Sequence, residues 1–136
     1  MGKSFLVNLR RIFFRERLLD IERTEFMKGF ILLGFAIVSE VFGTTMLKLS
    51  EGFTKVWPSI GVVFGFASAF YFLSQTLQHL QISTAYAIWS GVGTALTAVI
   101  GVLIWKDAFT WQTLVGLVLI IGGVVVLNMS GSGAHG

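Results

Sequence analysis

One acid stands where an acid is costly. Glu40 is the only ionisable residue between Lys28 and Lys48, within the apolar, small and hydroxyl-bearing stretch Phe30–Leu47. If that stretch is a membrane helix, ten residues at a rise of about 1.5 Å place Glu40 roughly 15 Å deep. That is the middle of a hydrocarbon core roughly 30 Å thick. A carboxylate left there costs on the order of 2.5–3.5 kcal/mol on insertion scales, so it faces a partner or a cavity. Two readings stand: a protonated acid that is merely tolerated, or a site that alternates between holding a proton and holding a cation. One turn on, Thr44 places a hydroxyl on the face that Glu40 shares with Ala36, Ile37, Gly43 and Leu47. That hydroxyl serves either the carboxylate or its own helix backbone.

A second set of residues shares a face in the third apolar run. Tyr86, Trp89, Ser90 and Gly93 line up there, so an aromatic pair and a hydroxyl can point together at a cavity. Tyrosine and tryptophan also anchor helices at the membrane surface, the role expected of Trp57, Trp105 and Trp111. Trp89 lies about two turns inside its run, deeper than a surface anchor. Gly91 and Gly93 weaken the helix beside it, a recognised cause of a kink. In the second run Phe64, Phe66, Phe70, Tyr71 and Phe72 either hold a flat cation through their ring faces or face lipid.

These residues need membrane helices to position them. The chain has 136 residues, 54% hydrophobic and 12% charged, with a mean hydropathy of +0.81; soluble domains carry about 25% charged residues. Four runs reach spanning length: Phe30–Leu47, Val56–Leu77, Thr84–Ile104 and Trp111–Met129. The links between them are short, and nothing remains for a soluble catalytic domain. The fold expected is an all-α membrane protein, four transmembrane helices with short loops in a dimeric helix bundle. A single protomer of this size offers little room for a sheltered pathway, which is one reason to expect the dimer. Gly61 and Gly65 permit close helix packing, and Gly116 and Gly123 form a small-residue stripe suited to helix contact. Gly52 marks a polar turn and Pro58 suits the first turn of the next helix.

Several classes are excluded. Without cysteine there is no disulfide or thiolate chemistry. His79 and His135 have no second ligand at metal spacing and are expected to be solvated. No metal and no cofactor is expected. The basic balance does not form a nucleic-acid-binding face with interleaved aromatics. There is no nucleophile–base pair or phosphate loop, so no enzyme is expected.

The charge sits at the front: residues 1–28 hold seven Lys/Arg against four Asp/Glu, the rest three against three. The expected division is a basic N-terminal extension (1–27), a transmembrane domain (28–129) and a flexible tail (130–136). Apolar residues of the extension scatter around a helical wheel, so an interfacial helix is only weakly signalled. A peripheral, dispensable arm is expected, with Met27 a second candidate start of the functional unit. No uninterrupted apolar core precedes a cleavage site, which argues against a signal peptide. With four spans both termini share one side. That side has Lys28 alone without the extension or seven Lys/Arg with it, against Lys48, Lys55 and Lys106 opposite. The extension therefore favours an N-terminus inside, and its removal brings the bias close to dual orientation.

The sequence resembles the small multidrug resistance (SMR) transporter family. The residues that carry the resemblance are Ser39-Glu40-Val41-Phe42-Gly43-Thr44-Thr45, Lys48, Ser50-Glu51-Gly52-Phe53-Thr54 and Trp57-Pro58-Ser59. To these are added Ala85 to Gly93 and the Gly116/Gly123 pair, in order, from about Gly29 to Asn128. The resemblance implies a proton-coupled antiporter of hydrophobic or quaternary organic cations in the bacterial inner (plasma) membrane, working as an antiparallel homodimer. It implies that Glu40 binds protons or substrate and that Tyr86 and Trp89 line the site; helical spacing adds Thr44 and Ser90 beside them. It further implies a hinge at Gly91 and Gly93, and contact between protomers at Gly116 and Gly123. Phe42-Gly43-Thr44 and Ser90 look like the multidrug branch rather than the guanidinium-exporting one. Ser39 and Phe66 depart from alanine and tyrosine common among drug exporters. A chain inserted one way only needs an oppositely oriented partner chain, a heterodimer. The competing class is a non-transporting membrane subunit in which Glu40 only holds helices together.

Overall fold

The structure, a computed structural model, describes residues 2–131, with side chains through residue 129. His135 and residues 132–136 of the expected tail lie outside the described residues. Four helices follow in order: α1 (Gly2–Leu49), α2 (Val56–Thr76), α3 (Ile82–Trp105) and α4 (Trp111–Gly131). All four contain a stretch long and apolar enough to cross a membrane. Among the described residues there is no strand.

The helices are tied in series. α1 packs along α2, α3 lies against α1, and α4 is held by α3. The shared core is formed by Leu33, Ala36, Ile37 and Val41 of α1 with Leu73, Leu80 and Ala85. Between α1 and α2 the backbones nearly touch, since a methyl group at Gly65 would fall 2.6 Å from the Cα of Gly43. Small residues are needed there because lipid offers apolar helices no burial advantage, so close packing must hold them. α4 contributes no buried residue to its most apolar window. Away from α3 its surface faces outward in the single chain.

The loops are short and specifically bonded. Glu51, Gly52 and Phe53 all adopt left-handed φ angles of 48°, 71° and 64°. The fully buried Ser50 supports this turn: its Oγ donates to the Leu47 carbonyl (2.7 Å) and accepts the Phe53 N–H (3.1 Å). α3 ends on Lys106 in the left-handed region, and the Asp107 N–H closes back onto the Gly101 carbonyl at 3.1 Å.

The extension and the first span form one helix. α1 holds 48 residues, about 72 Å at an ordinary helical rise, and its first buried residue is Gly29. Phe5, Phe13 and Phe14 on the extension are exposed. Its root is nonetheless attached to the bundle. Glu25 Oε2 lies 2.7 Å from His79 Nδ1 in the α2–α3 loop, and a methyl at Gly29 would fall 2.7 Å from Leu80 Cγ. His79 is therefore not the freely solvated loop residue expected from the sequence; its side chain is only 21% exposed. Trp57 and Trp111 are highly exposed, as surface anchors would be in a lone chain. Trp105 differs, for its ring lies under the Lys48 ammonium at 4.4 Å.

Candidate functional site

α1 carries its core on the stripe Leu33, Ala36, Ile37, Val41, and Glu40 stands on the flank of that stripe, half-buried. The helix places Thr44 one turn below it, and Thr44 Oγ1 donates to Glu40 Oε1 at 3.2 Å. The neighbouring Thr45 makes the opposite choice, donating to its own helix at the Val41 carbonyl (2.8 Å). Of the two readings open for Thr44, the hydroxyl goes to the carboxylate.

α3 approaches the acid at its glycines. A methyl at Gly93 would stand 3.1 Å from Glu40 Oε2 and 4.0 Å from Trp89 Cδ1, so the carboxylate occupies the space a side chain would take. Trp89 meets Tyr86 edge to face, with ring centroids 5.3 Å apart. It meets Phe70 of α2 the same way at 6.0 Å. Phe70 was not separable from lipid-facing phenylalanines by sequence; its place beside Trp89 singles it out. Phe66 packs over Gly43, whose added methyl would be 3.1 Å from Phe66 Cδ2.

Ser90 Oγ donates to the Tyr86 carbonyl at 2.6 Å and is exposed, so in this chain its hydroxyl is spent on its own helix. α3 passes through Gly91 and Gly93 without a break. A methyl at Gly91 would meet Val124 of α4 at 2.8 Å, so this glycine admits α4. Gly116 and Gly123 have nothing within 4 Å of the position an added methyl would take, and they stand apart from the acid.

Charge is distributed so that Glu40 is left without an internal cation. Lys28 pairs with Glu25 at 3.3 Å, Lys55 with Glu51 at 2.7 Å and Lys48 with Asp107 at 3.8 Å. Among the described residues, no basic side chain pairs with Glu40. A half-buried acid with one hydroxyl donor and an aromatic wall can take either a proton or an apolar cation. Ring faces attract cations, and most strongly where water is scarce. No group of three or more metal-ligating side chains occurs among the described residues.

Comparison with known proteins gives a consistent picture. The family model described as Small Multidrug Resistance protein matches residues 28–120. Multidrug resistance protein EbrB of Bacillus subtilis (strain 168) is 59% identical over 104 residues, covering 76% of this chain and 89% of its own length. Multidrug resistance protein EbrA of Bacillus atrophaeus is 53% identical over 100 residues, covering 74% and 95%. Quaternary ammonium compound-resistance protein QacC of Staphylococcus aureus is 48% identical over 103 residues, covering 76% and 96%.

Proposed function

Since the chain belongs to the small multidrug resistance family of multidrug efflux transporters, we propose that it exports lipophilic and quaternary organic cations in exchange for protons at Glu40. The observation that carries this reading is the Glu40 carboxylate set between Thr44 and Gly93 beside Trp89, with Lys28, Lys48 and Lys55 paired to other carboxylates. A cation entering against the ring faces of Trp89 and Tyr86 replaces a proton on Glu40. A proton arriving from the other side displaces it. Exclusive occupancy, with opening to one side at a time, couples a proton gradient to export. No enzymatic step is part of this reading.

In this proposal Gly116 and Gly123, open on the outer side of α4, receive a second protomer, and Gly91 and Gly93 let α3 bend between states. An antiparallel pair brings two Glu40 residues to one shared site. The partner is a second copy or a related chain. Relatives carry two paired designations, EbrA and EbrB, which supports keeping a heterodimer beside the homodimer. The test is uptake of a tetraphenylphosphonium-like cation into proteoliposomes under a proton gradient. Native protein drives it, and Glu40→Gln, which keeps an amide of similar shape but no exchangeable carboxyl proton, does not. Equal uptake by both would refute a coupling role for Glu40.

A further inference from the structure

We propose that Glu25, in the N-terminal extension, is a positioning residue for the cation site, acting through His79 to set how α3 lies against Glu40. The proposal rests on the reading of Glu40 and its aromatic wall as that site. Two independent contacts tie the root of the extension to the α2–α3 loop: the 2.7 Å pair between Glu25 Oε2 and His79 Nδ1, and the close approach of Gly29 to Leu80. Leu80 is buried and α3 starts two residues later, at Ile82. Tyr86 and Trp89 follow within the next two turns. Where the loop is held, the aromatic wall is held.

α3 meets α1 at three levels. At the N-terminal end it is tied through His79 and Glu25, and in the middle Gly93 admits the Glu40 carboxylate. At the far end Lys48 reaches Asp107 at 3.8 Å and covers the Trp105 ring at 4.4 Å. In lipid, helices are held by packing and by hydrogen bonds between them, so polar ties at the helix ends add to the register that packing sets. Lys28 also faces Glu25, at 3.3 Å, and keeps its second carboxylate oxygen occupied. The match to the family begins at residue 28. Glu25 precedes it, so the tie is a feature of this chain's extension.

The test uses the full chain in nanodiscs and proteoliposomes, with spin labels on cysteines introduced at Phe14 and Gln78, since the chain has no native cysteine. With labelled chain diluted into unlabelled chain, double electron–electron resonance reads the intramolecular separation, and tetraphenylphosphonium binding and exchange are measured in parallel. Glu25→Ala and His79→Ala should each lengthen and broaden the separation and change the exchange rate at least threefold. The swapped pair, Glu25→Lys with His79→Glu, should restore both. A parental separation in Glu25→Ala would overturn the proposal, as would a changed separation with an unchanged exchange rate. If the parent bound no tetraphenylphosphonium, the cation reading would fall and the positioning role with it. The separation would still show whether the tie exists, which keeps the two failures apart.

Discussion

At the scale of single residues, the arrangement turns on how little room Glu40 has. Its carboxylate takes one hydrogen bond from Thr44 and fills the space beside Gly93. Gly93→Ala would set a methyl 3.1 Å from Oε2, so either the carboxylate or α3 must move. We expect tetraphenylphosphonium affinity to fall about tenfold, roughly 1.4 kcal/mol, with the helical content unchanged; titration calorimetry on purified protein checks it. Affinity equal to the parent's would mean that the carboxylate and α3 are not in contact when the cation binds. Much of this site was legible in the sequence. An isolated acid in an apolar run and the Tyr86/Trp89 face follow from residue type and helical spacing. What spacing could not decide was where hydroxyls donate. Thr44 and Ser90 each have a backbone carbonyl four residues back, and only packing sends one to the acid and the other to Tyr86.

At the scale of elements, α1 is the part the sequence divided and the structure joins. Four spans follow from hydropathy, since each apolar run is bounded by polar turns. The continuity of residues 2–27 with the first span does not, because apolar side chains scattered around the helix give no stripe to extend. The tie from Glu25 to His79 bridges 54 positions and leaves no local signal. Hydrogen bonds from Lys28 and then His79 hold the Glu25 carboxyl below its ordinary value of 4.5. A lowered carboxyl stabilises the folded arrangement above its unfolded value and loses that contribution as pH falls through its folded one. The Phe14–Gln78 separation should therefore hold at pH 7 and pH 5 and lengthen only below about pH 4.5, while Glu25→Ala shows no such step. A step near pH 6 that persists in Glu25→Ala would assign the change to another group.

At the scale of the whole molecule, the charges of the extension are expected to act on orientation. With residues 1–28 the N-terminal side carries seven Lys/Arg, and without residues 1–26 it carries Lys28 alone, against three on the other side. Short-loop positive charge sets which way a small membrane protein inserts. Deleting residues 1–26 is expected to move the chain from N-terminus inside towards both orientations. Labelling of single cysteines introduced in the Ser50–Lys55 turn reads the ratio in intact cells, and identical ratios for both forms would contradict the expectation. The outcome also bears on assembly: a one-way chain requires an oppositely inserted partner for an antiparallel pair, whereas a two-way chain supplies its own. The open glycines of α4 are where such a partner is proposed to sit.

The most direct test of the central claim, that a cation and a proton compete for Glu40, is proton release on adding a tetraphenylphosphonium-like cation to detergent-solubilised protein across pH 5–9. The account predicts release from the native chain, affinity that rises with pH, and no release from Glu40→Gln. Binding without proton release, unchanged by Glu40→Gln, would contradict it and leave Glu40 as an acid that only holds helices together.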